Sequence, residues 1–448
     1  MKIKIIAIWL FLSVPVLACC QDVDKDYKLE QVIVISRHNV RAPLQKNVDK
    51  TKKNIGKPQM LAKFSAQGSN LTQKGCALET IMGAYFRSWL KDEGFLIDTD
   101  DKNNDVVPDI SKYYFAASPR ERTIASARAF AVGLIPSADV VVHHDKIGAN
   151  DIDFLPYLVD HGVCVSRIDT VKFKEQAYKE LKEIINNTKD SLGKAYKVIE
   201  KAVRYSESEN GKKKKHLSIS NLKDEVNFDF RKKEKDTDVI KEPIAIKGSS
   251  LLAANQISDA LILQFYEHPD TNGTYLRINS YDEWRKIADI KDIYSKLLFS
   301  APIVAVNTSH WLLCQVKMAI ENYKFALLCT HDTSITALLT AIQAEDYSLP
   351  KDKTLEGLTP NGCKLVIEKY SKGKKLYGRI RLLYQNNDQI HNMTVLDHKN
   401  IEPESENIKF KSIDYVDKDY YNWDDILARI NDTLSAFGKE AKCSSPSI

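Results

Sequence analysis

One stretch constrains this chain more than any other: Gln31 to Leu44, QVIVISRHNVRAPL. Its first half is a run of β-branched apolar residues, which reads as a buried strand. Its second half turns basic within five residues, at Arg37, His38 and Arg41, and Pro43 closes the turn. A strand that ends on an imidazole flanked by two guanidiniums is suited to holding an oxyanion beside a nucleophile. Taken alone, the stretch also fits a solvated basic corner. The remainder of the chain decides between the two.

The first residues, MKIKIIAIWLFLSVPVLACCQ, carry two lysines, an apolar core from Ile5 to Leu17 and small residues after it. This is the pattern of a secretory leader, with cleavage after Ala18, and it is too short for a confident membrane span. Val16-Leu17-Ala18-Cys19 also resembles a lipobox with Leu in an unusual place, so a lipid anchor stays open beside the periplasmic or secreted reading. With 65 basic against 60 acidic residues the net charge is only +5, too small an excess to argue for nucleic acid. Beyond the leader stand six cysteines, Cys76, Cys164, Cys314, Cys329, Cys363 and Cys443, whose spacing matches no zinc site. No metal and no cofactor is expected. Oligomeric state is not legible.

The 448 residues suffice for two domains. Residues 45–70 read as polar and irregular. A helix then follows Thr72, with Leu78, Ile81, Met82, Tyr85, Phe86 and Trp89 on one face. A second strand, Lys112 to Ala117, runs into Ser118-Pro119-Arg120-Glu121-Arg122, where Ser118 and Glu121 have the spacing of a capping box. Arg122 therefore falls in the first turn of a helix that begins where a strand stops. Ala138 to His143 reads as a third strand. From about 150 to 300 the pattern is helical: two helices within Lys172–Tyr205, interrupted near Asn186-Asn187, then Ser249–His268 and Tyr281–Phe299. The basic runs at 212–215 and 231–235 read as solvated loops. The α/β alternation resumes with the strand Phe325–Thr330, the dipeptide His331-Asp332 at its end, and a helix for which Thr333 or Ser334 is the expected cap. A hairpin around Lys372-Gly373 and a terminal helix from Trp423 to Lys442 complete the chain. The fold class is α/β: a central mixed sheet flanked by helices, with an inserted mainly α-helical domain. The expected division is 1–18 leader, 19–150 with 301–448 as the α/β domain, and 151–300 as the insert.

Three strands thus bring Arg37, His38 and Arg41, then Arg122, then His331 and Asp332 to their carboxyl ends, the edge at which open α/β sheets bind ligands. Cleavage of a phosphomonoester needs such a set. Fixed guanidiniums match the charged equatorial oxygens, neutral imidazole attacks phosphorus, and a carboxyl protonates the leaving oxygen.

RHNVRAP with the later His331-Asp332 resembles the histidine acid phosphatase family, whose pattern is R-H-G-x-R-x-P followed by H-D and whose members include bacterial periplasmic phytases and glucose-1-phosphatases. The resemblance extends over most of the chain, through Glu121-Arg122-Thr123, Val142-His143-His144 and Asp151-Ile152-Asp153-Phe154. It implies a phosphoglycerate-mutase-like fold and a metal-independent enzyme acting on a small-molecule phosphomonoester. In that scheme His38 is the nucleophile, Arg37, Arg41, Arg122 and His331 bind the phosphoryl oxygens, and Asp332 is the proton donor, substantially protonated at the acid working pH. Asn39 replaces the usual Gly, as in glucose-1-phosphatases, and is expected to bear on substrate specificity. Ser334 departs from the Asn usual in phytases, whereas Gly162-Val163-Cys164 resembles the phytase branch and implies a Cys164–Cys443 disulfide. Glucose-1-phosphate is therefore the expected substrate type, with a phytase as the alternative. A non-catalytic exported binding lipoprotein is a reading of a different class.

Overall fold

The buried run of the opening motif lies in the interior of a seven-stranded sheet. The structure, a computed structural model, describes residues 26–437 apart from 101–103, 105, 150, 152, 157, 160–169, 215, 220–225, 229–238, 241–243, 247–248 and 269–275. The expected leader and the Cys164–Cys443 pair lie outside the described residues. The sheet strands are β1 (Lys28–Arg37), β2 (Tyr113–Ala117), β3 (Phe325–Thr330), β4 (Lys364–Lys372), β5 (Lys375–Tyr384), β6 (Glu404–Asn407) and β7 (Tyr421–Asn422). Their order is β6-β5-β4-β1-β3-β2, with β7 also paired to β5. β1 and β2 both run parallel to β3, whereas β4 is antiparallel to β1, so the sheet is mixed.

The parallel register brings the three motif-bearing strands to an end together. Arg37 lies opposite Thr330, and Ala117 lies opposite Cys329. The His38 amide then donates to the Thr330 carbonyl at 3.1 Å, and the Ser118 amide to that of Cys329 at 2.9 Å. Chemistry-bearing residues far apart in sequence leave the sheet side by side.

Helices cover both faces: α1 (Gln73–Asp92) and α2 (Glu121–Leu134) on one, α6 (Pro302–Asn322), α7 (Asp332–Ala341) and α8 (Trp423–Ala436) on the other. Thr72 caps α1, its hydroxyl accepting from the Gly75 amide at 3.0 Å. α1 and α2 approach through glycine. A Cβ on Gly83 would stand 2.1 Å from the Phe130 carbonyl oxygen, and one on Gly133 2.1 Å from that of Thr80. Any side chain there would separate the two helices and displace the first turn of α2, which carries Arg122. The long helices α3 (Thr170–Ala202), α4 (Ser250–Glu267) and α5 (Tyr281–Phe299) build a further core. That core also takes in Val40, Leu78, Leu355 and Ile390, so the helical part packs directly on the motif loop.

Local expectations and structure differ at four places. α3 is one helix through Asn186-Asn187, because Phe173, Ala177, Leu181, Ile185, Leu192, Tyr196 and Ile199 stay in phase and buried, and that outweighs a weak asparagine preference. Ala138–His143 meets β2 by a single bridge, Ala116 with His143, and leaves Val141 exposed. Gln45–Lys52 forms a short helix within the segment expected to be irregular, with basic side chains at its last turn. α8 ends at Ala436. Among the described residues no single helix is long and apolar enough to cross a membrane.

Candidate active site

Burial and crowding by cations shape the site. His38 directly follows β1 and is buried. Its Nδ1 lies 2.8 Å from the carbonyl oxygen of Asn39. A carbonyl only accepts, so Nδ1 carries the proton and the lone pair resides on Nε2. Burial, then the charges of Arg122, His331, Arg41 and Arg37, hold its pKa well below the ordinary imidazole value. His38 therefore stays neutral in mildly acid solution. The unfolded chain takes up a proton here below about 6.5 and the native state does not, so stability present above that pH is lost as the pH falls. His331 is shifted in the same direction and adds to the effect. Thermal unfolding between pH 7.5 and 4.5 should show the melting temperature falling on acidification, less steeply in His38→Ala; a wild-type protein indifferent to this range would contradict it.

The guanidiniums are anchored through part of their donor set. Arg37 Nη1 donates to Glu356 Oε1 at 2.8 Å and to the Thr359 carbonyl, and its Nη2 lies 3.6 Å from Asp332 Oδ2. Arg41 Nη2 reaches both oxygens of Asp259, at 3.3 and 3.2 Å. Arg122 reaches Ser69 Oγ and His331 Nδ1, at 3.4 and 3.3 Å. The Nε of all three is buried without a hydrogen-bond partner. Arg122 is pulled down to about 9, by burial first and then by Arg41. Three crowded cations with orphaned buried donors fit an anion.

His331 ends β3, and both of its ring nitrogens are engaged. Nδ1 accepts from Arg122, which can only donate, so Nε2 carries the proton and faces Ser118 Oγ at 3.3 Å. Ser118 in turn donates to Asp151. This corrects the expected capping box. Arg120 is the N-cap of α2 without a side-chain cap, Ser118 serves the histidine, and Glu121 accepts from the Leu71 amide at 2.8 Å. Likewise His331, and neither Thr333 nor Ser334, is the N-cap of α7.

Three ionisable residues of the site carry no motif. Lys291 of α5 places Nζ 3.0 Å from Asp332, 2.8 Å from Glu356 and 3.9 Å from Asp259. Glu356 bridges Arg37 and Lys291 and also accepts from the Asn361 amide and side chain, at 3.0 and 2.9 Å. Lys291 had a faint signal in the sequence: it continues the buried stripe Trp284, Ile287, Ala288 of an amphipathic helix, where a lysine is out of place. Asp259, between the buried Ser258 and Ala260 of α4, had a similar signal. Glu356, in an irregular loop, had none. Burial pushes the Asp332 carboxyl up, but Lys291 first, then Arg37 and His38, overcome it and hold it well below the usual carboxylate range. Asp332 is a carboxylate at rest. The expectation of a substantially protonated Asp332 is corrected, because the sequence showed no cation at its side.

Asn39 is buried, and both polar ends of its side chain are taken: Oδ1 accepts from the Val40 amide at 2.8 Å and Nδ2 donates to Glu79 at 3.1 Å. Both ends of the side chain thus have partners within the protein. Among the described residues, Cys76, Cys314, Cys329 and Cys363 are free thiols, and no group of three or more metal-ligating side chains occurs.

Comparison with known proteins gives likenesses in sequence and in fold. The model of the histidine phosphatase superfamily (branch 2) matches residues 28–157. Glucose-1-phosphatase of Salmonella typhimurium is 29% identical over 385 residues, covering 84% of this chain and 86% of that protein. Glucose-1-phosphatase of Providencia rettgeri is 27% identical over 441 residues, covering 95% and 97%. In fold, the chain is similar to Hafnia alvei phytase in complex with myo-inositol hexakis sulphate, with a TM-score of 0.75 at 18% identity over 94% of this chain and 99% of that one. The chain is thus similar to the histidine phosphatase superfamily (branch 2) over residues 28–157 and to glucose-1-phosphatases over most of its length.

Proposed function

We propose that this chain is an exported acid phosphatase that cleaves small sugar phosphates, of which glucose-1-phosphate is the type, through a phosphohistidine on His38. One observation carries the reading: an imidazole with its Nε2 lone pair free stands among three guanidiniums whose buried Nε donors lack partners. Export rests on the leader pattern of residues 1–18 and agrees with an enzyme that works in acid surroundings.

In the first step Nε2 attacks phosphorus in line while Arg37, Arg41 and Arg122 bind the equatorial oxygens. The N–P bond forms, the P–O bond to the alcohol breaks, and the leaving oxygen needs a proton. Asp332 is ionised at rest, so that proton arrives with the substrate. A phosphomonoester has its second pKa near about 6 and enters as the monoanion in acid solution. Asp332 relays the proton to the alcohol, then takes one from the water that attacks the phosphohistidine, and inorganic phosphate leaves. Acid activity then follows from the substrate's ionisation and from the low pKa of His38.

The charge around the site favours one phosphoryl group over many. Arg37, Arg41, Arg122 and Lys291 are offset by Asp259, Asp332 and Glu356, which leaves a single excess positive charge. Lys213 and Lys214 border a separate cleft of about 420 Å³ with Lys50 and Lys53. Purified protein, assayed in acid buffer with a chelator present, should turn over glucose-1-phosphate with a kcat/KM at least about tenfold above that for phytate. The inverse ratio would assign a phytase, and release of phosphate from neither would support a binding protein without turnover.

A further inference from the structure

Beneath the nucleophile lies a closed circuit of hydrogen bonds that the phosphoryl chemistry does not use. We propose that Asn39, Glu79 and Lys364 form a buried brace that sets the orientation of the His38 ring, and so act as positioning residues for the attack. The inference rests on the reading of His38 as nucleophile.

The circuit starts at the imidazole. Nδ1–H of His38 donates to the Asn39 carbonyl, which belongs to the peptide unit joining Asn39 to Val40. The N–H of that same unit is held by the Asn39 side-chain oxygen at 2.8 Å. The amide of Asn39 thus fixes the plane of the peptide that aims the ring. Its other end, Nδ2, donates to Glu79 Oε1 at 3.1 Å. Lys364 Nζ donates to both oxygens of Glu79, at 2.9 and 3.0 Å, and to the Gly362 carbonyl at 2.7 Å. The Gly362 amide closes the circuit on the His38 carbonyl at 3.1 Å. Asn39 is 1% exposed, Glu79 and Lys364 0%, so water does not compete for any of these bonds.

The neighbouring backbone is shaped to the same end. Gly362 has φ +73°, and a Cβ there would lie 2.2 Å from Asn39 Nδ2, so only glycine lets the amide lie against this turn. The Val40 carbonyl accepts from the Thr72 amide at 3.0 Å, which ties the same peptide segment to the start of α1, the helix that carries Glu79. A buried ion pair is a poor source of net stability, since desolvation of both charges offsets their attraction. Its use here is geometric. Lys364 uses all three of its protons, and Glu79 receives both Lys364 and Asn39, which leaves one arrangement of the loop.

Two variants test the brace, with 4-nitrophenyl phosphate turnover, inhibition by inorganic phosphate and inhibition by orthovanadate as readouts. Asn39→Ala removes the amide and leaves the ion pair intact. Glu79→Leu with Lys364→Met removes both charges together, so that neither is left buried alone. Phosphate is held by the arginines, whereas vanadate binds tightly only when Nε2 is in line with the metal-oxyanion centre that mimics transferring phosphorus. Misaimed by a fraction of an ångström, the ring should lose kcat by at least about tenfold in each variant, with KM and phosphate inhibition changed by less than about threefold and vanadate inhibition weakened in step with kcat. Unchanged kcat per folded molecule in Asn39→Ala would overturn the brace. So would equal weakening of phosphate and vanadate, which a merely structural role would produce. If the double variant does not fold, Asn39→Ala decides alone. A wild-type protein that releases no phosphate would sink the phosphatase reading itself, an outcome distinct from active wild type with unaffected variants.

Discussion

His38→Ala should lower kcat for a phosphomonoester by at least about 10³-fold, equivalent to about 4 kcal/mol of barrier, while inorganic phosphate still binds. The two halves of this expectation have separate physical origins. In the proposed mechanism the imidazole supplies the bond to phosphorus, and the neighbouring imidazole, His331, has both nitrogens engaged by Arg122 and Ser118. In the same mechanism Arg37, Arg41 and Arg122 bind the anion by charge and by their forked donors, and those remain. Acid quenching of the wild-type protein during turnover of a phosphate-labelled substrate should leave label on the protein that is lost in acid and kept in alkali, as a phosphoramidate requires. The variant should carry none. Label persisting in His38→Ala, or turnover near the wild-type rate, would remove His38 from its assigned role.

Glu356→Ala should be the most destabilising single change in the site. Its carboxylate is buried between Arg37 Nη1 and Lys291 Nζ, each at 2.8 Å, and also holds Asn361 by two hydrogen bonds. Burial pushes its pKa up, yet Arg37 and Lys291 more than reverse this and keep it ionised. Removing it leaves two buried cations facing each other, a change that costs about 3–5 kcal/mol when one member of a buried pair is deleted. Arg37 would also lose its principal anchor, so kcat/KM should fall by about 10–100-fold. Glu356→Gln keeps the shape and an acceptor while losing the charge, and should fall between. Denaturant unfolding followed by steady-state kinetics measures both effects; an alanine variant as stable as wild type would show that Arg37 and Lys291 are neutralised by other groups.

Much of the site was legible because its chemistry is local in sequence. The strand ends at Arg37, Ala117 and Thr330 follow from apolar runs that stop abruptly, and the residues just past a strand end cannot escape the sheet edge. What escaped was everything that approaches the edge from elsewhere. Lys291 and Asp259 come from α5 and α4, in the helical region, and Glu356 from the loop before β4; no spacing rule links them to His38. The expected cap of α2 failed for a related reason: Ser118 finds its partners in Asp151 and His331, away from its own helix.

By itself the sequence determined the class of fold and singled out His38 with its three arginines as candidates, since period-2 and apolar-run patterning and a compact motif survive without knowledge of contacts. Tertiary structure alone decided the protonation states and the hydrogen-bond partners of Asn39. A pKa depends on which charges lie within a few ångströms, and Lys291 beside Asp332 turned an expected acid into a resting carboxylate. The amide of Asn39 is bonded to Val40 and Glu79, because α1 and β4 converge beneath the loop at a place no local pattern could reveal.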